Sequence, residues 1–228
     1  MIIGEKLIKS DLTVEGGLVH AFMQDALKGF DAKGWCVLEV GPKHGMHTKL
    51  FDELGAASFT LIELPEKRNQ QHWIKDIKAP VKVFYEDLLR IDFSGPTTGN
   101  TFDVILFCGV IYHNTEQLRL LKKLRTVVHS DTVLVFESST TRSDDLIDKN
   151  VIEVHWPKPY RDTKTVIFYP SKQACRSLLE MAGWKVIITS DDEELKSHSN
   201  PHRFSCVCTP GDIMKTYDDI DHEEVPST

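Results

Sequence analysis

Short apolar runs rich in β-branched and aromatic residues alternate along this chain with stretches whose apolar positions recur every three or four residues. Cys36–Val40 (CVLEV) reads as a buried strand. The turn Gly41 to Gly45 follows, then a helix carrying Leu50, Phe51 and Leu54 that stops at Gly55. Ser58–Ile62 is the second strand, and Pro65 opens a predicted helix reaching to about Ile74. Val81–Tyr85 and Phe102–Cys108 are the third and fourth strands. Asn114 with Gln117 reads as a capping pair for a helix whose Leu118, Leu121, Leu124 and Val128 share one face. Thr132–Phe136 is a fifth strand, and Val151–Phe168 reads as irregular. Ser171 caps a helix with Cys175, Leu178, Leu179 and Ala182 in register, ended by Gly183. Trp184–Thr189 and Arg203–Thr209 close the pattern as an antiparallel hairpin.

Strands alternating with helices predict an α/β fold, a mainly parallel sheet with helices on both faces. Such sheets bind ligands at the carboxyl ends of their strands, so the polar residues just after each strand are the candidates for chemistry.

Composition narrows the classes. With 228 residues, 41% hydrophobic and 27% charged, the chain has enough apolar surface for one large core. The longest apolar run, Val104–Tyr112, is far shorter than the roughly 18 residues of a membrane helix. The opening residues, Met1–Lys6, lack a signal-peptide layout, so no membrane association and no secretion are expected. Five cysteines without a C-x-x-C pair, four of them in apolar segments, fit reduced thiols of a cytoplasmic protein. A net charge of −7 demotes nucleic acid as a partner without excluding it. Part of that charge lies in Asp218, Asp219, Asp221, Glu223 and Glu224, within an expected acidic flexible tail, residues 210–228.

After the first strand comes Glu39-Val40-Gly41-Pro42-Lys43-His44-Gly45. Two glycines four apart let a backbone approach a ligand closely. The G-x-G-x-x-G of dinucleotide sites and the G-K-S/T of phosphate loops are both absent. Glu63 ends the second strand, where a carboxylate accepts ribose hydroxyls or favours a helix start. Glu86 and Asp87 follow the third strand, and Cys108-Gly109-Val110-Ile111-Tyr112-His113 follows the fourth. Their combination at one sheet edge is the signal.

These pieces, VLEVGPKHGMHT, FTLIELPE, VFYEDLL, FDVILFCGVIYHN, DTVLVFES and FYPSKQACRSLLEMAGWKVI, resemble the class I S-adenosylmethionine-dependent methyltransferases. The resemblance runs from about Gly34 to Thr209 and implies a Rossmann-like, seven-stranded sheet with an antiparallel last strand beside the fifth. It further implies S-adenosylmethionine as cofactor. Glu39, Gly41 and Gly45 would hold the methionine part, Glu63 the ribose, and Asp87 with the Leu88 amide the adenine, with Glu86 as the out-of-register alternative. The backbone near Cys108 and Gly109 would face the methionine amino group. Lys43 stands where many members carry glycine. GVIYH followed by FYPS resembles the branch of the tRNA wobble-uridine carboxymethyltransferases and related small methyltransferases. Those enzymes place an arginine seven residues before the FYPS-like serine, where this chain has Lys164 with Arg161 nearby, and they carry a sizeable N-terminal region where about 33 residues precede the match here.

His113 is the candidate general base by type and place, the alternative being a pocket wall or helix cap formed with Tyr112. Trp156, Tyr160 and Tyr169 are candidates for an aromatic lid over the acceptor, or for packing beneath a long connection, and Lys164 joins them as a candidate substrate residue. His44, His47 and His113 lack the carboxylate partners of a metal site, so no metal is expected. Cys206 and Cys208 share a strand face and are expected to pack. The reading is one methyltransferase domain over residues 1–209, with 1–33 as a helical cap segment and 151–170 as a candidate substrate lid. Its preferred acceptor is a small molecule, methylated at oxygen or nitrogen. An RNA (tRNA) modification methyltransferase or carboxymethyltransferase is the alternative, and a cofactor-binding scaffold without turnover a second; oligomeric state stays open.

Overall fold

A computed structural model describes residues 22–23, 25–27, 31–93, 101–156 and 167–214. Nine strands lie among them: β1 Cys36–Val40, β2 Ser58–Glu63, β3 Val81–Tyr85, β4 Phe102–Cys108, β5 Val128–Ser139, β6 Ile152–His155, β7 Ile167–Pro170, β8 Trp184–Thr189 and β9 Arg203–Pro210. The α-helices are α1 Met46–Glu53, α2 Gln117–Leu124 and α3 Lys172–Met181. Seven strands form one sheet in the order β3-β2-β1-β4-β5-β9-β8. β1 to β5 pair in parallel, whereas β9 runs antiparallel to both β5 and β8. β6 and β7 form a separate antiparallel pair, so the stretch expected to be irregular holds two short strands.

The central strands are continuous apolar runs because both of their faces are buried. Leu38, Ile105, Phe107, Leu134 and Phe136 point to one side, where Leu120, Leu121 and Leu124 of α2 and Cys175 and Leu179 of α3 cover them. Val37, Val104, Leu106, Val133 and Val135 point to the other, against Phe51 of α1 and Phe22, Met23 and Leu27 of the N-terminal segment. Cys206 and Cys208 fall on the first side with their sulfurs 3.5 Å apart, packed as expected. Burial pushes the Cys206 thiol well up from its ordinary value, with the neighbouring Cys208 adding to the shift, which keeps it unreactive.

Several local expectations change. The helix expected from Pro65 is two 3-10 segments, Pro65–Gln70 and His72–Asp76, pivoting at Gln71. Its first six residues bury nothing, so packing supplies no reward for a regular α-helix. Asn114 does not cap α2: its Oδ1 accepts from the Glu116 amide at 2.7 Å in a local turn. Gln117 instead donates to the carbonyls of Ile111, at 3.3 Å, and Phe168, at 2.8 Å, tying the loop after β4 to β7. Ser171 does cap α3, accepting from the Ala174 amide at 3.0 Å. The fold also reaches past the expected start of the tail. Pro210 belongs to β9, and the Gly211 amide donates to the Gly183 carbonyl at 2.8 Å.

Parallel connections run from β1 outward through β2 to β3 in one direction, and through β4 to β5 in the other. The order reverses between β1 and β4, and a crevice opens there at the carboxyl ends of the strands.

Candidate functional site

A cavity of about 320 Å³ occupies that crevice. β1 ends in it with Val40 and Gly41, β2 with Ile62 and Glu63, and the segment after β3 adds Glu86, Asp87 and Leu88. Gly109, Val110 and His113 come from the loop after β4, and Leu120 from α2. Apolar side chains thus form a slot between carboxylates on one rim and a glycine turn on the other. Gly41 has φ +69°, and a Cβ there would fall 2.9 Å from the Val110 side chain. Glycine is therefore required at that bend.

The carboxylates are held by backbone donors. Glu63 is buried, and its Oε1 accepts from the Leu64 amide at 2.9 Å. Asp87 Oδ1 accepts from the Leu89 amide at 2.9 Å, which caps the short turn Leu88–Arg90, and Glu86 Oε1 accepts from the Asp87 amide at 3.0 Å. Lys43, the departure from glycine noted above, has φ +48°, a left-handed conformation that costs a non-glycine residue roughly 1–2 kcal/mol.

Other candidates stand behind this cavity. Glu39 is buried, accepts from the Thr48 hydroxyl and has His47 Nδ1 3.3 Å from its Oε1. Gly45, at φ +70°, sits under the Trp73 ring. Burial, then the nearby carboxylates of Glu137 and Glu39, raise the Cys108 thiol well above its ordinary value, so it stays protonated.

His113 lies exposed at the cavity, its ring 4.3 Å from that of Tyr112. Partial loss of hydration lowers its pKa below the ordinary histidine value. Tyr112 is buried and stacks on Tyr169 at 6.0 Å, and Tyr169 meets the edge of His155 at 4.9 Å. Tyr169, on β7, therefore packs on the buried face of the β6–β7 pair and does not line the cavity. Trp156 is 69% exposed and lies outside the cavity too. Tyr160 and Lys164 fall outside the described residues.

One buried group was missed by sequence reasoning. Glu137, near the end of β5, has its Oε1 2.6 Å from the Arg203 Nε, and Arg203 also donates to the Ser139 hydroxyl at 3.3 Å. Burial raises the Glu137 pKa against the opposing pull of Arg203 and His47. The rule that strand ends carry the chemistry would have found it, because Glu137 directly follows the apolar run Thr132–Phe136.

Comparison with known proteins fits this geometry. Residues 17–188 match the family model described as a methyltransferase domain. A tRNA U34 carboxymethyltransferase of Campylobacter jejuni (strain RM1221) is 26% identical over 162 residues, 70% of this chain and 53% of the relative. The chain thus spans about half the length of the curated relatives it matches. Among solved structures, an S-adenosylmethionine-dependent methyltransferase from Mesorhizobium loti superposes with a TM-score of 0.61 at 13% identity, covering 85% of this chain and 100% of that one. The 1,6-didemethyltoxoflavin-N1-methyltransferase of Burkholderia thailandensis, solved with 1,6-didemethyltoxoflavin and S-adenosylhomocysteine bound, gives 0.63 at 14% identity, covering 89% and 82%. A seven-stranded sheet with its last strand reversed, a glycine-bent crevice at the switch point and a family match across most of the chain agree: the protein belongs to the methyltransferase-domain family, with the fold of its S-adenosylmethionine-dependent members.

Proposed function

We propose that the chain binds S-adenosylmethionine in the β1–β4 crevice and transfers its methyl group to an oxygen or nitrogen of a small molecule. The observation that carries this reading is the rim itself. Gly41, Glu63 and Asp87 converge on one slot whose walls, Val40, Ile62, Leu88, Val110 and Leu120, suit a flat aromatic base. The residues therefore fit the cofactor. Glu63 would accept the ribose hydroxyls, Asp87 with the Leu88 amide would hold the adenine, and the turn Gly41 to Gly45, backed by Glu39, would hold the methionine end. When bound, S-adenosylmethionine supplies an electrophilic methyl on a sulfonium.

The chain's own part is placement, exclusion of water and handling of one proton. His113 is the residue assigned to that proton, because the lowered pKa keeps the ring neutral and able to accept it near pH 7. The ordinary cofactor, and not its carboxylated relative, is preferred because Lys164, a flexible point charge, stands where the similar carboxymethyltransferases have an arginine able to hold a carboxylate through two hydrogen bonds. A reducing, cytoplasmic setting is part of the same reading, resting on five cysteines of which none form a C-x-x-C pair.

Titration calorimetry tests this. S-adenosylmethionine and S-adenosylhomocysteine should bind, NAD and ATP should not, and the carboxylated cofactor should bind no tighter than the ordinary one. Glu63→Ala should weaken binding by roughly 1–3 kcal/mol, the range for losing a charged acceptor. Preference for NAD would overturn the cofactor, and an unchanged Glu63→Ala would move the ribose contact elsewhere.

A further inference from the structure

The glycine turn is not held by its own sequence. Lys43 sits in the middle of it at φ +48°, a conformation that favours glycine, and it lines the cavity. Both of its peptide groups are taken up. Its amide donates to Glu63 Oε2 at 3.3 Å, while its carbonyl accepts from Trp73 Nε1 at 3.0 Å and Gln71 Nε2 at 3.3 Å. Gln71 Nε2 also reaches Glu63 Oε2 at 3.4 Å. The same Trp73 closes the far end of the turn, where a Cβ on Gly45 would fall 2.3 Å from its ring.

Gln71 reaches this position at a local cost. Its side chain is buried, and its Oε1 has no hydrogen-bond partner among the described residues. A buried orphan acceptor destabilises a fold, and such a group calls for an explanation other than stability. The 3-10 geometry has one as well, since the pivot between the two segments falls at Gln71 and sets Gln71 and Trp73 on the same carbonyl.

From these contacts we infer that Gln71 and Trp73 are cofactor-positioning residues: they clamp the Lys43 carbonyl, hold the turn in the conformation that glycine would adopt unaided, and lock it to Glu63 as one binding unit. The clamp joins the turn after β1 to the carboxylate after β2. It acts through Lys43 and Glu63, and neither Gln71 nor Trp73 is assigned a contact with the reacting atoms. The inference rests on the cofactor reading above.

Trp73→Phe tests it, because phenylalanine still fills the space against Gly45 but has no N–H to donate. S-adenosylhomocysteine affinity, measured by calorimetry, should fall about three- to tenfold, the loss expected for one hydrogen bond. Gln71→Met should act in the same direction. Adding Lys43→Gly to Trp73→Phe should restore most of the affinity, since glycine takes the left-handed conformation without a clamp. Loss of packing alone would lower the melting temperature and would not be repaired at position 43. Wild-type binding with an unchanged Trp73→Phe, or a double variant that stays weak, overturns the clamp alone. A wild-type chain that binds no S-adenosylhomocysteine overturns the cofactor reading and the clamp with it.

Discussion

At the residue scale the sharpest question is what His113 does. Its ring lies at the cavity beside Tyr112, and the surrounding protein lowers its pKa by removing part of its hydration. The sign of the pH effect follows. A base works when unprotonated, so the rate should rise with pH through a titration displaced to the acid side of about 6.5, the ordinary histidine value, and be flat above neutrality. His113→Ala should lower kcat by about 10²–10⁴-fold while S-adenosylhomocysteine affinity changes little. If His113→Asn keeps most of the rate and the acid limb, the ring is a wall and the proton leaves by another route. Among single residues, Gly41, Glu63, Asp87, Gly109 and His113 could be picked from the sequence because each lies at the carboxyl end of a strand or in the loop that follows it, and all line one cavity. The left-handed Lys43 and its partners were not. They depend on where two 3-10 segments place side chains some 30 residues away, a distance relation that no local pattern encodes.

At the element scale the β6–β7 pair shows why some strands hide in a sequence. On β6 the outward side chains, Ile152 and Val154, are apolar and exposed, while Glu153 and His155 turn inward. The usual alternation is present with its polarity reversed, so the segment reads as irregular. Glu153 makes the reversal workable. Its carboxylate accepts from the Thr141 hydroxyl and, at 2.7 Å, from the Ser143 hydroxyl, and it lies 2.9 Å from His155 Nε2. Burial pushes the Glu153 pKa up, but these hydrogen bonds outweigh it and hold the value at about 2. A carboxylate depressed in the folded state adds stability above its unfolded pKa and loses it as pH falls through the folded one. Its contribution, roughly 1–3 kcal/mol for hydrogen bonds to a charged group, should be complete above about pH 4.5 and fade toward pH 2. Glu153→Gln should therefore be less stable to denaturant than wild type at pH 7, and the gap should close between pH 4.5 and 2. A gap of constant size across that window would mean that Glu153 acts by shape and not by charge. The exposed Ile152 and Val154 lie on the opposite face of the strand, and they and the exposed Trp156 that follows it take no part in this pin.

For the molecule as a whole, topology was the most legible property, since buried parallel strands separated by helical segments leave few ways to wind a sheet. The acceptor was the least legible, because binding residues sit disproportionately on loops, whose sequence carries no period. Of the two acceptor classes, charge favours the small molecule proposed above. The relatives of matching sequence are tRNA U34 carboxymethyltransferases, yet this chain carries a net charge of −7. At the cavity, Lys43 and Lys67 share the lining with Glu63, Glu86 and Asp87, so the positive groups there do not build a one-sided basic surface. Binding to a polynucleotide draws much of its free energy from counterions released as cationic side chains meet phosphates, and a surface without a basic excess releases few. Fluorescence anisotropy with unmodified tRNA at physiological salt should accordingly show no saturation up to about 10 µM, a range in which even many non-specific binders associate. Lowering the salt should add little, because the salt slope counts neutralised phosphates. A saturable complex with a steep salt slope would transfer the acceptor from a small molecule to RNA.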